Sequence, residues 1–289
     1  MAEQVYWRGL FNRWQRGLGA HINIQHYAQA LDEARHAAAL ETGLDPAEID
    51  ARGWAIRPRY ERIDFRRELS PGDGIAISGR LTGGPDGQAV LNGAGHIAPA
   101  DTLIFRFETA FGPVGRDSRK PADWPSRPAG KADPLRALRP IAEPLMPDTP
   151  PANAWTTWQG TVEVRDCDIH GLQSGRGLFD IITRGLWAVH IRLGRHRDRM
   201  AERGAAGGVT ALQVRHGRPA RMGDLLEIRT SLLGIGSNSV RMGHLIRDVT
   251  DGAAVAQVEY VNTFFERQTG RKTPPEADYL ERLMDMRLG

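Results

Sequence analysis

One loop gathers carboxylates, a thiol and an imidazole: Arg165-Asp166-Cys167-Asp168-Ile169-His170-Gly171. A carboxylate in such a loop can attack a carbonyl or activate a water; it can equally cap a helix or close a turn. Just beyond, Gly171, Gly175 and Gly177 crowd the entry to an apolar-periodic segment. A helix beginning there presents free backbone N–H groups and the positive end of its dipole, and glycine lets an acceptor oxygen come close. A second loop, Gly19-Ala20-His21-Ile22-Asn23-Ile24-Gln25-His26-Tyr27, brings a histidine, an asparagine and a tyrosine to the start of another such segment. Loop ordering and ligand contact are both open to His21 and Asn23. Cys167 as a nucleophile would need a histidine beside it, and an extended loop points it away from its aspartate neighbours. His190 lies beside an apolar stripe and reads as a core residue; His170 reads as exposed.

The elements that must position these loops occur twice. Pro-Gly-Asp at 71–73 precedes the alternating run IAISGRL, and Met-Gly-Asp at 222–224 precedes LEIRTSL. Asp73 and Asp224 lie 151 residues apart, Thr109 and Thr263 154 apart, and Lys120 and Lys272 152 apart. Three matches in one order and at similar spacing indicate a duplicated domain. Each copy reads as an edge-like strand (5–11 and 157–165), a glycine-containing loop, one amphipathic helix (24–42 and 176–193) and four further strands. Those strands are expected at 54–68, 73–82, 88–98 and 102–111, and again at 208–216, 224–234, 238–248 and 253–266. The helices follow from apolar residues at three-to-four spacing, Ile24 to Ala38 and Leu178 to Leu193, and Gly-Asp and Asp-Gly pairs punctuate the strands.

The fold class is therefore α+β, with two tandem domains, each a long helix wrapped by a five-stranded antiparallel sheet. The domains are expected at 1–112 and 156–289, the second ending in a short helix within 275–288. Between them lies a proline-rich linker, 113–155. Residues 113–151 hold ten of the 18 prolines and show no sustained apolar period.

Bulk composition narrows the function classes. Hydrophobic residues make up 40% and charged residues 25% of the 289, as in a water-soluble globular protein. One cysteine excludes an intrachain disulfide, and no zinc-type Cys/His spacing is present, so neither metal nor cofactor is expected. The start of the sequence lacks a leader pattern and no run of about 18 apolar residues exists, so a cytoplasmic location without membrane association is the expectation. The net charge of +3 is carried by scattered arginines, most beside acidic residues, so a nucleic-acid partner is not expected. Further assembly into a homo-oligomer stays open.

The loop Asp166-Cys167-Asp168-x-x-Gly171, set between a strand and a helix, resembles the Asp-x-Asp-x-x-Gly loop of the 4-hydroxybenzoyl-CoA thioesterase branch of the hotdog superfamily. The loop around His21 is similar to the Gly-His-x-Asn-Asn-x-x-Tyr stretch found at the same place in acyl-CoA and acyl-ACP thioesterases of that superfamily. Ala20 and Ile24 depart from that pattern, Gly17 stands where its aspartate would be, and Leu172 replaces the histidine in the second copy. Plant acyl-ACP thioesterases resemble this chain in being two fused hotdogs. The resemblance implies hydrolysis of an acyl-CoA or acyl-ACP thioester. It implies Asp168 as the catalytic carboxylate, Gly175 with Gly171 at the oxyanion site, and His21, Asn23 and Tyr27 at the substrate. Another hotdog branch carries its carboxylate on the long helix. Asp180, Asp32 and Glu33 are the candidates for that arrangement, although their surroundings lack that branch's His-Gly-Gly entry. The competing reading is a non-catalytic acyl-thioester-binding or regulatory protein; a hotdog hydratase is disfavoured because no Asp is followed five residues later by His in a suitable loop.

Overall fold

The computed structural model describes residues 3–15, 22–84, 87–124, 146–194, 205–266 and 268–287. The chain divides into two compact units: Met1–Pro140 with Val164–Phe179, and Ile141–Glu163 with Asp180–Gly289. The division does not follow the repeat boundary. The aspartate loop and the first residues of the second helix pack with the first repeat.

In the first unit, β1 (Gln4–Leu10), β2 (Trp54–Phe65), β3 (Gly74–Gly83), β4 (Ala89–Ile97) and β5 (Thr102–Gly115) form an antiparallel sheet in the order β1-β3-β4-β5-β2. The helix α1 (Ile24–Leu40) packs on it with Tyr27, Ala28, Leu31, Ala34 and Ala38 buried, the face its spacing predicts. The core beneath α1 is aromatic. Tyr27 stands edge-on to Phe65 at 5.3 Å and to Phe105 at 5.6 Å, and Phe11 lies 5.8 Å from it. Gly95 on β4 makes room for Phe105, whose ring a Cβ there would strike, and Gly93 lies against the Ser78 carbonyl of β3 and the Phe107 ring. Each such buried ring contributes about 1.5–3 kcal/mol.

Two differences from the sequence expectations have local causes. β5 continues past residue 111 because β2 begins early enough to pair Trp54 with Gly115. The unanticipated short helix α2 (Pro46–Ala51) is built by Asp45, whose side chain accepts the Glu48 N–H at 2.7 Å, with Pro46 in the first turn.

In the second unit, β6 (Trp155–Thr161), β7 (Ala205–His216), β8 (Leu225–Ile235), β9 (Ser239–Asp248) and β10 (Ala254–Glu266) run antiparallel in the order β7-β10-β9-β8-β6. The helix α3 (Gly175–Arg192) lies close to this sheet at Gly185, where a Cβ would meet Ile228 of β8. β6 stops at Thr161 rather than near 165 because Val164–Asp166 coil into a 3-10 turn. The terminal helix α4 (Ala277–Met284) buries Tyr279 and Leu283, with Tyr279 edge-on to Phe264 at 5.4 Å.

Most of the proline-rich stretch, 125–145, lies outside the described residues, but both its ends are packed. Trp124 is buried 5.7 Å from Phe111 and its indole N–H donates to Thr42 Oγ1 at 3.1 Å. Met146 and Ala154 form an apolar cluster with Leu245 in the second unit. Among the described residues, no helix is long and apolar enough to cross a membrane.

Candidate active site

The aspartate loop is a closed turn. Cys167 and Gln173 pair across it, and the Gly171 N–H donates to the Asp168 carbonyl at 3.1 Å. Gly171 has φ +72°, which is why glycine stands there. Asp168 Oδ1 accepts the N–H groups of His170 (2.8 Å) and Leu172 (3.1 Å), while its Oδ2 pairs with Arg57 of β2. Burial works against the Asp168 charge. Arg57 and the two backbone donors outweigh it and hold the carboxyl below its ordinary range. Both carboxylate oxygens are thus engaged in fixing the loop, and the Gly171 amide is consumed by the turn rather than free for an oxyanion. Ile169 at the tip is 94% exposed.

Ser174 then caps α3: its Oγ accepts the Gly177 N–H at 3.1 Å and its carbonyl the Leu178 N–H at 2.9 Å. Gly177 is required by close packing, because a Cβ there would collide with the Asp166 backbone. The Gly175 N–H, at the first position of the helix, has no partner within the helix. It donates to Asp32 Oδ2 at 2.7 Å. A carboxylate of α1 therefore sits on the amide expected to receive an oxyanion.

Asp32 is itself held from below. Its Oδ1 pairs with Arg35, one turn on along α1. Arg35 and Glu61 of β2 are each 1% exposed, and the two form a second ion pair. Arg35 Nη1 also lies 3.4 Å from Thr109 Oγ1 on β5, directly across from Glu61 in the β2–β5 register. Burial opposes the Arg35 charge, and the Glu61 and Asp32 carboxylates reverse that effect and raise its pKa.

The other expected residues have partners of their own. Glu33 accepts the Trp7 indole N–H at 2.6 Å on the outside of α1, and Asp180 pairs with Arg184 at 2.6 Å in the second unit. Tyr27 belongs to the aromatic core, where burial raises its pKa, and is 4% exposed. Asn23 stands at the N-cap of α1 without a side-chain cap bond, and its backbone N–H donates to the Gln15 carbonyl at 3.1 Å. His21 lies outside the described residues. Of the residues expected at the site, the first unit brings together Asp32 and the Gly175 amide, with Asp168 fixed in the loop that leads to that helix start.

The sequence pattern of the thioesterase-like superfamily matches residues 17–132 and 162–283, one segment in each repeat. The chain belongs to that superfamily. No functionally curated protein matches the sequence of this superfamily member. Solved structures share its fold over nearly the full length. A 12:0-ACP thioesterase from Umbellularia californica is 12% identical over 90% of this chain and 93% of its own, with a TM-score of 0.66. An acyl-ACP thioesterase from Bacteroides thetaiotaomicron is 11% identical over 90% and 97%, with a TM-score of 0.65. A provisionally assigned oleoyl thioesterase from Lactobacillus plantarum is 14% identical over 94% and 98%, with a TM-score of 0.67. At these identities the likeness establishes the double-hotdog fold.

Arg57 and Glu61 carry no functional signal in the sequence of this superfamily member, and Thr109 stands out there only as part of the repeat. Arg35 carried a signal: it falls in the α1 stripe between Leu31 and Ala38, where a charge must be paired if buried. Glu61 was masked by the irregular register between Pro58 and Tyr60, which breaks the alternation of β2. Among the described residues, no three His, Cys, Asp or Glu side chains gather as a metal site would require.

Proposed function

We propose that this protein hydrolyses an acyl thioester, carried on CoA or an acyl carrier protein, with Asp32 as the reacting carboxylate and the Gly175 N–H as oxyanion donor. The observation that carries the proposal is the 2.7 Å contact between Asp32 Oδ2 and the Gly175 amide. A substrate carbonyl oxygen binding that amide displaces Oδ2. Arg35 keeps its hold on Oδ1, leaving the freed oxygen beside the carbonyl carbon. From there Asp32 either attacks the carbon, giving on loss of the thiolate an acyl–Asp32 anhydride that water then hydrolyses, or takes a proton from an attacking water and passes it to the departing thiolate. The oxyanion is stabilised by an amide at the positive end of α3, the C–S bond breaks, and the products are a carboxylic acid and a free thiol. In this proposal Asp168 anchors the loop to β2 through Arg57 and thereby fixes where α3 begins.

Thiol release from a panel of acyl-CoAs and acyl-ACPs tests the activity. The wild-type protein should release thiol from at least one of them, and Asp32→Asn should lower turnover by roughly 10²–10⁴-fold. A folded protein that binds acyl thioesters but releases no thiol from any would support the binding-module reading instead.

A further inference from the structure

We infer that Arg35 and Glu61 are positioning residues for the reaction: the pair fixes one oxygen of Asp32 and sets how strongly its carboxylate is held. The inference rests on Asp32 being the reacting group.

Three observations support it. First, the guanidinium is fixed by the sheet rather than by solvent, since Glu61 and Thr109 reach it from adjacent strands and it is 1% exposed. Its orientation toward Asp32 Oδ1 is therefore a property of the folded framework. Second, one cation serves two carboxylates. Arg35 with Asp32 alone would clamp that carboxylate and blunt it as a base or nucleophile. Sharing the guanidinium with Glu61 weakens the clamp while keeping Asp32 in place. Third, packing alone does not call for these residues. Apart from His26 in the first turn, the rest of the buried α1 face is Tyr27, Leu31 and alanines, and a buried ion pair holds a helix on a sheet no better than an apolar pair of similar volume.

The surroundings leave this trio as the main charge arrangement at Asp32. His36 on α1 meets the Asp32 backbone carbonyl through Nδ1 at 2.8 Å. On β2, Arg57 is paired with Asp168. On β5, Glu108 alternates to the face opposite Thr109, and Asp166 lies behind Gly177 at the start of α3.

The test is steady-state thiol release as a function of pH by wild type, Glu61→Gln and Arg35→Lys, with Asp32→Asn alongside. Glu61→Gln keeps size and an acceptor but removes the competing charge. Its kcat should fall about tenfold with KM nearly unchanged, and the acid limb of its profile should move down by roughly one pH unit. A merely structural role would move neither. A folded Glu61→Gln variant with wild-type kcat and acid limb overturns the inference. If that variant does not fold, Arg35→Lys, which keeps the charge and loses the fork, decides: kcat should fall about tenfold at constant KM, and unchanged kcat overturns the inference. Asp32→Asn separates the two levels. If it retains turnover, the reacting-group assignment itself fails; if it is inactive while Glu61→Gln is unaffected, only the positioning role fails.

Discussion

The two repeats share one plan of strands and helix but fill it differently. Beneath α1 the first repeat carries rings and, from the middle of the helix, a charged trio in which buried Arg35 and Glu61 brace the half-buried Asp32. Counting from the first residue of each helix, α3 has Thr183 and Leu186 where α1 has Asp32 and Arg35. The inner face of the second sheet is polar but uncharged. Thr157 and Thr230 share a hydrogen bond of 2.8 Å, Thr230 Oγ1 lies 2.6 Å from His244 Nδ1, and the His244 ring lies 5.0 Å from that of Tyr260. His244 is fully buried, and burial alone presses its pKa from 6.5 to about 3. Duplication gave two equivalent frames. One kept a carboxylate braced by charge, while the other supplies a glycine-rich helix start and a neutral core.

Gly175→Ala should break the first half of that comparison. Its new Cβ would meet the Asp32 carboxylate oxygens, although alanine favours the helix. Turnover should fall roughly 10²-fold with little change in melting temperature, the usual consequence of misplacing a reacting group by about 1 Å. The matching change in the second repeat, Thr183→Val, should leave kcat within a factor of about two, since it removes nothing from the α3 start. Steady-state kinetics and thermal melts on both variants check the pair.

Two buried groups of the second repeat, His244 and Glu259 on opposite faces of the sheet, should reveal themselves through pH. His244 is charged in the unfolded chain below 6.5 and neutral in the folded one down to about 3. It therefore costs stability as pH falls through that window. Glu259 has the opposite sign: burial lifts its carboxyl from 4.5 to about 7, against the pull of Arg241, Gln213 and Arg215. It costs stability as pH rises between those values. Between pH 4.5 and 6.5 the two contributions cancel in the wild-type protein. In the same window His244→Gln should become less stable with rising pH, and Glu259→Gln more stable, each by about 1.4 kcal/mol per pH unit relative to wild type. Urea melts across that range would show parallel curves if neither group is buried as described.

The smallest effects concern how each helix holds its edge strand. In the first repeat Trp7 donates to Glu33 at 2.6 Å; in the second, Arg192 lies 4.0 Å over the Trp155 ring. Trp7→Phe and Arg192→Gln should each cost about 0.5–1 kcal/mol in a thermal melt, with turnover preserved. Loss of turnover in Glu33→Gln would move the reacting carboxylate from Asp32 to its neighbour.

The repeat, both long helices and most strands were legible because apolar spacing and paired turn signals are local. α1 and α3 begin within a residue of their expected starts at 24 and 176. The motif around Asp168 is compact in sequence, whereas Asp32 is one of several helix carboxylates with nothing local to distinguish it. What distinguishes Asp32 is a hydrogen bond to a residue 143 positions away and a guanidinium whose partners come from two other strands. No local pattern contains those distances. The turn role of Gly171 follows from its positive φ, which the sequence suggests only as a general property of glycine.

The most direct test of the account is thiol release by purified Asp32→Asn and Asp168→Asn, measured side by side at saturating acyl thioester with circular dichroism confirming both folds. The account predicts that Asp32→Asn loses roughly 10²–10⁴-fold in kcat while Asp168→Asn loses less than about tenfold through a loosened loop. A folded Asp168→Asn that is inactive beside an Asp32→Asn that still turns over would contradict it and return the chemistry to the aspartate loop.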